Sequence, residues 1–374
     1  MRMVRQSVLL VLGTLILCSP RLVAAESPKQ TLPKLGAIIG LTGNMAAWGD
    51  RCQKAYSLAL EDLQCEHGSL PFELLIEDSP ESLPKNTLTA LSKLEAMDQV
   101  FALIGVFSPE EVDAVTPVLN DKQMGLVSFA PGTIGPGTAR YLWPDPQYEA
   151  EAVATELRKQ FSRVAVLSDQ TAWTEKVAQS FVRRFQKLGG EVVAMQAPAI
   201  SAASVRTEAL RAKSAKPEAI FIPSYYLFSQ YTKELSAIKN TVPLFGIELD
   251  ESARQLSMPH AEGVIFIRPA ASNEFDARFR SKFGVAADLP ATYCYDQLRL
   301  AHQLFLQIPS ERREQTKLRP AFAVALSQIS SYRGVSGDLH FKPGRTESPL
   351  GWFRFSANQI EALGADFWQP HKPL

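Results

Sequence analysis

Short apolar runs recur along this chain, each followed by a stretch of helical periodicity, and that alternation constrains the fold more than any other feature. Residues 35–39, 72–76, 101–104 and 126–129 form one series of runs; residues 164–167, 192–195, 219–222, 243–245 and 264–267 form a second. Runs this short and this apolar suit strands covered on both faces, as in a parallel sheet flanked by helices. Between them, Cys52, Ala55, Tyr56, Ala59, Leu60 and Leu63 fall on one helical face, as do Ala150, Val153, Ala154, Leu157 and Phe161. A third helix, around Val177, Phe181 and Phe185, ends at Gly189-Gly190, where glycine permits a left-handed stop.

The expected fold class is therefore α/β, with two doubly wound parallel-sheet lobes. A length of 374 residues agrees with more than one core. The segment 143–147, "WPDPQ", places two prolines between the two series and is the expected interlobe crossing. After Pro269 the chain turns helical again through Phe279, Tyr295 and Leu298 to Leu306. It ends in a β-like tail, "GDLHF" and "WFRFS", able to complete a sheet begun earlier, so the lobes need not be contiguous in sequence.

The first 25 residues have the pattern of a secretory signal. Arg2 and Arg5 precede an apolar run over 8–17, too short to span a bilayer, and Val23-Ala-Ala25 supplies small residues suited to cleavage. Cys18 raises a lipid-anchor alternative, although Leu17 is bulky for the position before a lipidated cysteine. Lys plus Arg and Asp plus Glu both total 39; removing Arg2, Arg5 and Arg21 with the segment before Glu26 leaves 36 − 39 = −3, which gives no basic footprint for nucleic acid. Cys52 and Cys65 on one helix would stand roughly 20 Å apart, beyond the roughly 7 Å reach of a disulfide. Cys294 could pair with either, or all three could be thiols.

Catalytic signatures are missing from the sequence: no nucleophile elbow, zinc-helix motif or P-loop can be written onto it, and His67, His260, His302, His340 and His371 lack ligand spacing. Gly132-Thr-Ile-Gly135-Pro-Gly137 is spaced wrongly for a dinucleotide turn and reads as a surface loop. What does cluster is a set of aromatic and acidic residues just after strands, where open α/β sheets place their ligands. Trp48 follows the first run, Trp173 holds the matching position in the second series, Tyr225 and Tyr226 follow "AIFIP", and Glu248 follows "PLFGI".

Taken in order, "IGLTGNMAAWGDRCQKAYSLALEDL", "FAPGT", "VAVLSDQTAWTEKVAQSFVRRFQKLGGEVV", "IFIPSYY" and "VSGDLHF" resemble the type I periplasmic binding proteins, and within them the leucine/isoleucine/valine-binding family of ABC transporters, over about residues 34 to 357. The resemblance implies two lobes joined by three hinge crossings, near 143–147, 268–272 and 334–337. Residues 34–145 with 270–335 would build the N-terminal lobe, and 146–269 with 336–360 the C-terminal lobe. It further implies an exported, periplasmic, monomeric protein that is not an enzyme, needs no cofactor, and hands a small molecule to an ABC permease in the membrane. By the same resemblance Trp48 walls the ligand side chain, Tyr225 faces it, Trp173 stacks on it, and Glu248 receives its ammonium.

One stretch departs from that pattern. In the amino-acid binders a helix start and a nearby turn hold the ligand carboxylate with hydroxyls and backbone amides, a use that suits the electropositive end of a helix. Here Ser108 precedes Pro109, which has no amide, and Glu110 and Glu111 bring negative charge. Ala130 and Ile134 stand where hydroxyls are expected, leaving Thr133. Ser108 reads as a cap, with Glu111 able to reach back as a capping box. Ser108, Ala130 and Thr133 thus complete the expected ligand-binding set with its carboxylate half weakened. The expected ligand is an amino acid, amine, amide or aromatic polar compound, with the amine, amide or polar-aromatic character preferred to a leucine-like one. The rival is a regulatory or sensory module on the same fold, similar to activators of cell-wall synthases; an esterase or amidase ranks third.

Overall fold

The structure, a computed structural model, describes residues 32–132, 139–270 and 272–364. The expected signal segment with Cys18, Thr133 and Ile134 of the glycine-rich loop, and His371 lie outside the described residues.

Strands β1 (Lys34–Ile39), β2 (Glu73–Asp78), β3 (Ala102–Gly105), β4 (Gly125–Ser128) and β5 (Ala139–Tyr141) form one sheet in the order β2-β1-β3-β4-β5, with every pairing parallel. Helices α1 (Ala46–His67), α2 (Pro84–Ala96) and α3 (Pro109–Asp121) connect them. The period of two in a strand divides β1 between two cores: Leu35, Ala37 and Ile39 face one, and Ile38 faces the other with Leu91, Leu94 and Val115. Burial on both faces is why the strands read as nearly unbroken apolar runs.

The second sheet repeats the plan: α4 (Pro146–Gln160) leads into β6 (Arg163–Leu167), β7 (Glu191–Gln196), β8 (Ala219–Ile222), β9 (Leu244–Ile247) and β10 (Ile265–Pro269), all parallel and joined through α5 (Ala172–Lys187), α6 (Arg206–Ser214), α7 (Phe228–Ala237) and α8 (Glu251–Ser257). Val164 and Val166 face the α4 and α5 stripes, while Ala165 and Leu167 face Leu227, Phe228 and Tyr231 on the opposite side. The α5 stop is where the glycines put it, with Gly189 at φ +82°.

The chain then returns to the first core. Helices α9 (Asn273–Phe283), α10 (Asp288–Gln307) and α11 (Gln315–Gln328) contribute Phe279, Tyr293, Leu298, Leu318 and Phe322 to it. Cys52 of α1 and Cys294 of α10 form a disulfide across 242 residues, and Cys65 is an exposed thiol. Strands β11 (Ser331–Gly334), β12 (Gly337–Lys342) and β13 (Arg345–Glu347) make a small antiparallel sheet, and β14 (Leu350–Phe355) and β15 (Ile360–Leu363) extend the second sheet antiparallel beyond β10.

The expected boundary at residue 336 differs from this arrangement. Leu339 and Phe341 of β12 pack in the first core, and the chain first meets the second sheet where Leu350 pairs with Pro269. The third passage therefore falls between β13 and β14, not at 334–337. The chain also passes between the two sheets after β5, ahead of α4, and after β10, ahead of α9.

Candidate ligand-binding cleft

The carboxyl ends of both parallel sheets open onto one cleft of about 350 Å³. Phe107 follows β3, Ala130 follows β4, Trp143 follows β5, Trp173 opens the helix after β6, Tyr225 follows β8 and Glu248 follows β9; all line it. Trp48 belongs to the first turn of α1, which presses close to the end of β1: a Cβ on Gly49 would lie 2.1 Å from the Gly40 carbonyl oxygen, so the approach requires glycine. Of the seven expected site residues, Trp48, Ser108, Ala130, Trp173, Tyr225 and Glu248 come together here; Thr133 lies outside the described residues.

Aromatic side chains make the floor and one wall. Trp48 stacks near Trp143, with centroids 6.2 Å apart and planes 22° apart, and meets the edge of Tyr225 at 6.0 Å. Phe129 lies 5.5 Å from Trp48 and 4.7 Å from Trp143, and Tyr293 lies 5.0 Å from Trp143. These spacings are those of favourable ring pairs. Trp48 is only half-buried, so its ring presents area to an occupant.

Asp250 joins the two lobes. Its Oδ2 accepts from Trp48 Nε1 at 3.2 Å and from Tyr225 OH at 3.1 Å, and its Oδ1 caps α8 by accepting from the Ala253 amide at 2.7 Å. Burial, then the charge of Asp288, pushes its carboxyl up to about 6. The three donors offset part of that cost. Nearby, Asp288 accepts from Arg268 at 3.1 Å and from the Glu251 amide at 2.9 Å, a second contact between the lobes.

The helix start at Ser108 closes on itself. Ser108 Oγ accepts from the Glu111 amide at 3.2 Å, and Glu111 Oε2 accepts from the Ser108 amide at 3.0 Å, a complete capping box. The other Glu111 oxygen accepts from Ser79 and Thr87 at 2.9 and 2.6 Å. Two of the groups that would hold a carboxylate are thus spent on each other. Ala130 Cβ supplies no hydrogen bond, and its carbonyl accepts from Ser128.

Glu248 carries positive φ, 52°, and its Oε1 is buried with no hydrogen-bond partner among the described residues. It meets Glu149, from the first turn of α4, whose two oxygens are equally unpartnered and which has no exposed surface. Two carboxyls in contact can satisfy each other only if one keeps a proton. Burial raises Glu248 to about 8, and burial together with the Glu248 charge raises Glu149 well above the carboxylate range. Glu149 is accordingly the donor of the pair and Glu248 the acceptor. The described lining includes the acids Glu81, Glu110 and Glu248 and no Lys, Arg or His.

A family model described as periplasmic binding protein matches residues 33–355. The chain belongs to that family. Solved structures agree on the fold. This periplasmic binding protein superimposes on a leucine-binding protein from Thermotoga maritima with a TM-score of 0.78 at 18% identity, covering 89% of this chain and 98% of the other. A putative branched-chain amino acid ABC transporter from Rhodospirillum rubrum gives 0.69 at 22% identity, covering 89% and 100%. A solute-binding protein of an ABC transporter from Rhodopseudomonas palustris, in complex with 3,4-dihydroxybenzoic acid, gives 0.74 at 18% identity, covering 88% and 95%. A search of curated protein sequences finds no significant match.

Four residues escaped the sequence reading: Trp143, which lines the binding protein's cleft, and Asp250, Glu149 and Tyr293, which contact its lining residues. Asp250 looks like an ordinary helix cap, and Trp143 like part of a linker. Glu149 looks like a first-turn acid; its signal was its place four residues before Val153, which carries the apolar α4 stripe one turn further. Tyr293 sits in a helix so thoroughly buried that no face distinguishes it.

Proposed function

We propose that this chain is an exported solute-binding protein that closes two lobes over a small molecule and delivers it to an ABC permease. The ligand class is an amine, amide or polar-aromatic compound, held by Trp48, Trp173 and Tyr225 around its apolar body and by Glu248 at its polar end. The observation that carries this is the composition of the cleft: aromatic walls and acids with no cationic side chain, beside a helix start whose cap is internally satisfied. A carboxylate buried there would have no charge partner, whereas an ammonium would. The ligands named for structural relatives include leucine and a dihydroxybenzoic acid, so the aromatic body has a parallel and the polar end departs from both.

Closure follows from contacts made only when the lobes meet, since a ligand shifts such an equilibrium by its differential affinity for the closed form. The Trp48–Asp250 bond is one such contact. A thermal-shift screen of the mature protein against amines, amides, amino acids and aromatic acids tests the reading. At about 100 times its dissociation constant a ligand adds roughly 2.7 kcal/mol to stability, an easily visible shift. Stabilisation by amines or amides is the expected result. A response confined to aromatic acids would overturn the ligand class, and no response to any of them would favour the regulatory module over the importer.

A further inference from the structure

We infer that a cavity beside the passage from β10 to α9 is a second binding site, and that it takes a small organic carboxylate on the unused edge of the Arg268 guanidinium. The cavity measures about 650 Å³ and shares no lining residue with the cleft. Both lobes line it: Arg268 and Trp352 come from β10 and β14, Arg280 and Leu289 from α9 and α10. What the cleft holds does not bear on it.

Arg268 is held in one orientation. Its guanidinium carbon lies 4.6 Å from the centre of the Phe353 ring and 5.9 Å from that of Phe266. Nη1 donates to the Leu249 carbonyl at 3.3 Å and to Asp288 Oδ1 at 3.1 Å. Nε is buried without a hydrogen-bond partner among the described residues, and Nη2 beside it donates to none of them. Nε and Nη2 are the parallel pair of donors with which a guanidinium grips a carboxylate side-on. A buried charged donor without a partner is costly, and native structures contain few.

The hydrogen bonds already made select the ligand. Glu251, Asp276 and Asp288 also line the cavity, but each of their carboxylate oxygens already accepts. Asp288 takes Arg268 and the Glu251 amide, Asp276 takes the Ala287 amide and Arg280 Nε, both at 2.8 Å, and Glu251 takes Arg254 with both oxygens. With Arg254 counted, three guanidiniums balance three carboxylates, so an arriving anion meets no uncompensated negative charge. Donors are what remain: the Nε–Nη2 edge of Arg268, and the two Nη groups of Arg280, which bond to nothing else among the described residues. A carboxylate is all acceptor and fits them, whereas an ammonium is all donor and does not. Trp352, Leu289 and Leu363 supply apolar wall, which favours an organic body over a bare inorganic oxyanion. An occupant touching both arginines bridges the lobes.

Calorimetry on the mature protein with benzoate, benzyl alcohol and inorganic phosphate tests this. Benzoate should bind, and the alcohol, which lacks the paired oxygens, should bind about tenfold more weakly. Arg268→Lys keeps the charge and loses the edge, so it should weaken benzoate about tenfold. Arg280→Gln alters a side chain 56% exposed, leaves the fold intact, and should weaken benzoate about threefold. Trp48→Ala opens a wall of the cleft and should not change benzoate binding. Benzoate affinity that survives both arginine substitutions, or that is lost with Trp48, would place the probe in the cleft and overturn the second site. No benzoate binding would overturn it too, and phosphate binding as tightly as benzoate would overturn the organic carboxylate.

Discussion

Replacing Ser108 with alanine should weaken the fold and leave ligand capture unchanged. Ser108 Oγ accepts one neutral bond, from the Glu111 amide at 3.2 Å, and deleting such a cap costs about 1 kcal/mol. Glu111 carries more. Its carboxyl, 1% exposed, receives the Ser108 amide at 3.0 Å, Ser79 Oγ at 2.9 Å and Thr87 Oγ1 at 2.6 Å. Glu111→Ala strands those donors, so at roughly 1 kcal/mol for each the loss is about 3 kcal/mol. Urea unfolding followed by circular dichroism reads both variants, and calorimetry with a ligand from the thermal screen reads affinity. The expected result is a threefold ratio of stability losses with the dissociation constant of Ser108→Ala unmoved. A loss of affinity of about tenfold, 1.4 kcal/mol, with the unfolding midpoint intact would make Ser108 a ligand contact and refute the reasoning that the anion half of the site has become structural.

Asp250→Asn should cost about 1 to 2 kcal/mol, because one carbonyl oxygen cannot both cap α8 and receive Trp48 and Tyr225. Trp48 emission should shift to the red as the lobes part, and unchanged emission and stability would count against the latch. Glu248 is raised from 4.5 to about 8, so the native state holds more protons than the unfolded one between those values and stability falls as pH rises. His302, lowered from 6.5 to about 4, opposes this only below 6.5; denaturation midpoints should therefore fall from pH 6.5 to 8, and Glu149→Gln should flatten the slope. Removing the Cys52–Cys294 disulfide by the double serine variant should cost about 3 to 5 kcal/mol, since it closes a loop of 242 residues. Alkylation of the native protein should label Cys65 alone of the three.

The strands were legible because burial on both faces leaves little but β-branched and aromatic residues, as in "VAVL" and "AIFI". Strand β5 was not: Ala139–Tyr141 is three residues long and half-buried, and a run that short has no pattern. The tail strands were recognisable, but a period of two says which face of a strand is apolar, not which core that face meets, so β12 was assigned to the wrong lobe. The site was legible where aromatics follow strands, as at Trp48 and Tyr225, since topology alone brings strand ends together. Glu149, Asp250 and Tyr293 were hidden because each has a plausible local role, and their shared role exists only once distant segments meet.

The most direct test of the central claim is a crystal structure of the mature protein with the tightest-binding amine from the screen. Its apolar body should lie against Trp48 and Tyr225, with its nitrogen within about 3 Å of a Glu248 oxygen, the distance of a charge-assisted hydrogen bond. A ligand seated outside the cleft, as in the pocket lined by Arg268, Asp288 and Trp352 on the crossing side, or one turned with its nitrogen away from Glu248, would contradict the account.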